Sequence, residues 1–165
     1  MSTLVSKGLL NKRPTGLWIA LTLVVATFSA PAFAALGGST DSVLDDQHHM
    51  NATLKTIEAD TYVVQEMRLP YATVVREYVS RSNAMVFAVA WQGPFMPDIN
   101  WLLGTYSSLY LKAASAQRES QFGRRTLNIH GSSLVLQTAG HMGAFSGRAY
   151  DPRLLPSGVS ANAIQ

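Results

Sequence analysis

The sequence predicts an α+β fold, an antiparallel sheet (a three-strand meander, one long helix, then a hairpin) with the helix packed on one face. Three observations carry this expectation. Residues 60–92 hold three β-branched or apolar runs; a helical apolar stripe follows Pro97-Asp98; and two more strand-like runs fill 127–150. Strands, then a helix, then strands again describe a helix-covered antiparallel sheet rather than alternating βαβ units.

Residues 60–69 (DTYVVQEMRL) are rich in β-branched side chains and close at Pro70, so they read as the first strand. In 72–80 (ATVVREYVS), Val75, Glu77 and Val79 fall on one side and Val74, Arg76 and Tyr78 on the other. Arg81-Ser82-Asn83 is a turn, and 84–92 (AMVFAVAWQ) is apolar on both faces, the pattern of a central strand covered from both sides. Gly93-Pro94 ends the meander. Asp98 then stands as an N-cap whose carboxylate can accept a free backbone N–H. After it Ile99, Leu102, Leu103, Tyr106, Leu109, Tyr110 and Ala113 recur at helical spacing, which predicts a helix as far as Gln117 or Arg118. A polar loop with Arg124-Arg125 follows. LNIHGSSLVLQT (127–138), broken at Gly131, turns at Ala139-Gly140-His141 into MGAFSGRAY. The tail from Asp151, with Pro152, Pro156 and Gly158, is expected to lie extended over the surface.

Ahead of the strands the chain divides in two. Lys7, Lys12 and Arg13 precede the apolar stretch Leu17–Ala30, and Pro31 breaks it just before Ala32-Phe33-Ala34. This is the layout of a secretory signal peptide, with small residues at Ala32 and Ala34 directing cleavage between Ala34 and Ala35. An uncleaved anchor is disfavoured, because fourteen residues reach only about 21 Å against a hydrocarbon core of roughly 30 Å. Without cysteine, lipid attachment at the cleavage site is excluded and no disulfide can form. The expected organisation is a signal peptide over 1–34, a weakly ordered lead-in over 35–56 and a single α+β domain over 57–165.

The charge balance follows from that division. The 165-residue chain carries 13 Lys and Arg against 10 Asp and Glu. The three extra cations are Lys7, Lys12 and Arg13, so the segment from Ala35 onward is neutral. A neutral domain lacks the basic surface that displaces counterions from nucleic acid, and no nucleic-acid partner is expected.

Motifs with chemical content are scarce. The chain has no GxSxG, HExxH, Walker or GxGxxG pattern, and no cofactor is assigned. His48 and His49 are adjacent and point apart, which suits a solvated pair. His130 and His141 are the weak metal candidates, since pairing of 127–138 with 142–150 can bring both to one end of a hairpin; zinc wants a third ligand, and none is identifiable. Arg76, Glu77 and Arg148 sit inside apolar strands and need partners. An Arg–Glu pair across neighbouring strands is the plain expectation. Trp91 reads as core, and Trp101, off the main helical stripe, as exposed on a candidate contact surface. Asn51-Ala52-Thr53 matches a glycosylation sequon of low specificity.

Read together, VVREYV (74–79), VFAVAWQGPFMPDINWLLGTY (86–106) and HMGAFSGRAYDPRLLPSGVS (141–160) resemble the bacterial exported family catalogued as domain of unknown function 2844. The resemblance implies a proteobacterial secreted or periplasmic protein and carries no activity or catalytic residue with it. The leading expectation is an exported, non-enzymatic binding or assembly module, with an envelope or extracellular protein as partner and no permanent membrane anchor after cleavage. The alternative is a small hydrolase or isomerase with a site near His141, Glu77 and Asp98.

Overall fold

The β-branched runs of 60–92 become strands in a computed structural model that describes residues 36–120 and 126–165. The signal segment, its cleavage point at Ala34 and Ala35, and Arg124-Arg125 lie outside the described residues. The elements are α1 (Ser42–His49), β1 (Thr53–Glu58), β2 (Tyr62–Arg68), β3 (Val74–Ser80), β4 (Val86–Gly93), α2 (Ile99–Leu103), α3 (Ser107–Ser120), β5 (Leu127–His130), β6 (Val135–His141) and β7 (Ala144–Tyr150). All seven strands form one antiparallel sheet in the order β1-β2-β3-β4-β7-β6-β5.

The sheet is larger than expected. The meander has four strands rather than three, because TLKTIE adds β1 at one edge. Only Leu54 of β1 is sheltered and its other five residues are exposed, so no apolar alternation announces the strand. The expected hairpin is a three-stranded unit. Gly131 does break it, donating its N–H to Leu134 O between β5 and β6. The second turn falls at Met142-Gly143, with Gly143 at φ 86°, while Ala139, Gly140 and His141 stay in β6. Pairing of β4 with β7 joins both units. That is the position a strand apolar on both faces requires.

The expected long helix is broken. Gly104, at φ 48° and ψ −117°, ends α2 after one turn, a 3-10 turn covers Gly104–Tyr106, and α3 resumes at Ser107. Ile99, Leu102 and Leu103 are buried ahead of the break, but Leu109 is 42% and Leu111 53% exposed beyond it. The apolar stripe therefore docks mainly through its first turn, with Tyr106 and Tyr110 partly buried against the core.

Residues 35–56, expected as a weakly ordered lead-in, hold α1 and the start of β1. Leu36 and Val43 are 1% and 2% exposed. Gly37 N–H bonds Val86 O and Val86 N–H bonds Gly38 O, which ties this segment to the start of β4.

Each face of the sheet has its own cover. On the helix face, Met67, Val75, Val79, Val89, Trp91 and Leu136 pack with Val43 and Leu102. On the other, the tail crosses the sheet, with Ile164, Leu154, Leu155 and Val159 on Val64, Tyr78, Phe87 and Ala88. A bulge helps to supply the second cluster: Tyr78 faces Ala88 but Val79 faces Val86, so Phe87 is the extra residue and joins Ala88 on the tail face. Tyr78 Oη donates to Gln165 O at 2.8 Å, and Arg148 Nη1 donates to Ala161 O at 2.8 Å, which holds the tail down.

Candidate functional site

Alternation along β3 sends Val75, Glu77 and Val79 to the helix face. Glu77 is 0% exposed there, flanked by valines, where an ionised carboxylate is costly. In α1 the spacing Val43, Asp46, Met50 places Asp46 on the buried stripe, and it too is 0% exposed. The two carboxyls meet, and Trp101 of α2 donates its indole N–H to Asp46 Oδ1. Asp46 Oδ2 and both Glu77 oxygens receive no N–H or O–H from the described residues.

One proton between the two carboxyls answers that deficit. Retained on Glu77 and donated to Asp46, it leaves a single negative charge, which the indole N–H also bonds. The shifts agree with this assignment. Burial, reinforced by Asp46, holds the Glu77 carboxyl well above its usual range. Burial pushes Asp46 up to about 6, against the lowering effect of its bonds to Glu77 and Trp101. His49 stacks on the Trp101 ring with centroids 3.7 Å apart and planes 5° from parallel, and its Nε2 lies 3.9 Å from Asp98 Oδ2.

The residues singled out in the sequence scatter around this pair. Asp98 is the expected N-cap, accepting from Trp101 N–H at 3.1 Å. Arg76 has the expected cross-strand partner, Glu66, with Nε to Oε2 at 2.8 Å. Glu77 has a second carboxyl for partner instead of an arginine. Trp101 is half-buried and turned inward to Asp46 rather than standing out as a free contact surface. His130 and His141 do not share an end of a hairpin: His130 pairs with Val135 at one end of β6, while His141 closes the other. Six residues of strand separate those ends by about 20 Å. Among the described residues no group of three or more His, Asp or Glu side chains is placed to hold a metal ion. Asp46 is the residue that the sequence did not single out, since it falls inside the segment expected as a weakly ordered lead-in. The helical register of Val43 and Met50 was the signal that could have found it.

A second feature is built at one end of the sheet. Gly93 lies against Thr73 so closely that a Cβ there would come 2.4 Å from Thr73 Cα. Thr73 Oγ1 donates to Phe95 O at 2.8 Å and accepts from Phe95 N–H at 3.3 Å. This clip holds the β2–β3 turn to the β4–α2 loop. Tyr71 and Phe95 meet edge to face on the outside, ring centroids 5.7 Å apart, and are 41% and 58% exposed. Gly93 pairs with Phe145, and Phe145 with Gly140, so the β6–β7 turn emerges at the same end. It presents Met142 at 81% exposure, and Met96 on the β4–α2 loop is 40% exposed.

Over residues 32–164 the chain matches the family described as "Protein of unknown function (DUF2844)", and it belongs to that family. This is the family that residues 74–79, 86–106 and 141–160 resemble. Neither the curated proteins nor the solved structures yielded a match.

Proposed function

We propose that this member of the family is exported and serves as a non-enzymatic binding or assembly module for an envelope or extracellular protein, with the apolar end of the sheet as its binding surface. The observation that carries the reading is a contrast in access. Asp46 and Glu77, the pair with acid–base character, are 0% exposed, whereas Tyr71, Phe95, Met96 and Met142 stand 40–81% exposed on loops at one end. Rigid exposed aromatics offer large apolar area at low entropic cost, which suits the centre of a protein–protein contact. The export part rests on the signal-peptide layout of residues 1–34.

The hydrolase or isomerase reading has less support. Glu77 is sealed, Asp98 is engaged as a helix cap, and His141 closes β6 with its Nδ1 3.1 Å from Met142 O.

Two measurements test the proposal. Protein recovered from the periplasm or medium should begin at Ala35; a mature chain beginning at Met1 overturns export. A photo-crosslinking residue placed at Phe95 or Met142 should join the chain to a distinct envelope protein, while the same residue at Leu111 on α3 should not. No adduct, or equal adducts from all three positions, overturns the binding surface.

A further inference from the structure

The tail covers only part of its face of the sheet. Beyond Ile164 and Gln165 a groove of about 470 Å³ remains open over β4, β7, β6 and β5. Strand register decides which side chains floor it. Gln92 faces Ser146, Gln137 faces Arg148, and Asn128 faces Gln137, so these five form two adjoining rows across four strands. All five line the groove, and among the described residues no Asp or Glu does.

Arg148 sets the chemistry. Its Nε donates to Gln137 Oε1 at 2.8 Å, and its Nη1 donates to Ala161 O and Ile164 O at 2.8 and 3.3 Å. The guanidinium is thus held in one orientation while half-buried. Among the described residues no carboxylate side chain lies within 4 Å of it, unlike Arg76, Arg81 and Arg153, each of which has one. Its Nη2 has no hydrogen-bond partner among the described residues. A fixed, half-desolvated cation with an unspent donor is suited to an incoming anion, and the planar fork suits a carboxylate. The other side chains lining the groove are uncharged. Primary amides and a hydroxyl both donate and accept, which matches the hydroxyls of a polyol rather than a second charge.

We propose that this groove binds a small hydroxylated carboxylate, a sugar acid or hydroxy acid, with Arg148 on its carboxylate and Gln92, Asn128 and Ser146 on its hydroxyls. The site is separate from the apolar end and does not depend on the role proposed for it.

Calorimetric titration of the mature protein with galacturonate, gluconate and lactate tests this, with galactose as the neutral counterpart. At least one of the acids should bind saturably, and galactose at least tenfold more weakly than galacturonate. Arg148→Gln should weaken the acid at least tenfold. Because Arg148 also anchors the tail, Asn128→Leu provides the independent variant: it breaks no bond that holds the tail, so it should weaken binding several-fold with an unchanged thermal midpoint. Absence of saturable binding by all three acids, equal binding of galactose and galacturonate, or full affinity in Asn128→Leu overturns the proposal.

Discussion

Replacing Glu77 with glutamine perturbs the buried carboxyl pair with little change of shape. In the unfolded chain Asp46 and Glu77 titrate near their ordinary values of 3.8 and 4.5. Folding moves both upward, Asp46 to about 6 and Glu77 well above its usual range. Over those windows the folded protein holds protons that the unfolded chain has already lost, so stability falls as pH rises from the unfolded value to the folded one. For Asp46 the window from 3.8 to about 6 is worth roughly 3 kcal/mol, at about 1.4 kcal/mol per unit. Glu77 adds up to about 1.4 kcal/mol for every further unit over which it stays protonated only in the folded state. Glutamine cannot ionise, yet its amide can donate to Asp46 as the carboxyl proton did. The Glu77→Gln variant should therefore lose the Glu77 slope, its stability falling less steeply by about 1.4 kcal/mol per unit above the ordinary carboxylate range. Urea unfolding followed by tryptophan fluorescence from pH 4 to 8 measures both curves. Curves that run parallel, at whatever offset, refute the shared proton.

Two further substitutions probe the frame around the pair. Gly147 of β7 pairs with Trp91 and lies under its ring, and a Cβ there would sit 2.3 Å from Trp91 Cζ2. Gly147→Ala should lower stability by about 1–3 kcal/mol through overpacking, read as a fall in the urea midpoint; an unchanged midpoint would show that the ring has room to move. Tyr106 Oη donates to Asp151 Oδ2 at 2.6 Å. Burial raises the Asp151 carboxyl, but bonds from Arg153 and Tyr106 outweigh it and hold the carboxyl below its usual value. That sign is opposite to the pair's: the stabilisation is present above the ordinary carboxylate range and is lost as pH falls through the folded value. Tyr106→Phe should cost about 1–3 kcal/mol at pH 7 and less at pH 3, as thermal midpoints at the two values will show. A cost that is equal or larger at pH 3 contradicts the assignment.

Legibility tracked how much side-chain pattern each element needed. β2, β3 and β4 were readable because a buried sheet face demands alternation, and β4 because a central strand demands apolar side chains on both faces. β1 was not read as a strand, and the apolar spacing of Val43, Leu44, Met50 and Leu54, loosely compatible with a short helix, was read only as a weakly ordered lead-in. β1 is an edge strand held by backbone pairing with β2, which any side chain permits, and α1 has only the stripe of Val43, Asp46 and Met50 to mark it. The helix was found but its break was not, since apolar spacing continues through Gly104 while its φ of 48° does not.

The sequence by itself determined the composition of the sheet core, the Asp98 cap and the membership of the family. Tertiary structure alone decided that Glu77 faces Asp46, that His130 and His141 part, and that Arg148 is left half-buried with no carboxylate side chain beside it among the described residues. Those outcomes depend on which strands become neighbours and where α1 and the tail cross them. Pairing of β4 with β7 joins segments more than fifty residues apart, and their contacts are set by burial of the whole sheet on two faces rather than by any local spacing.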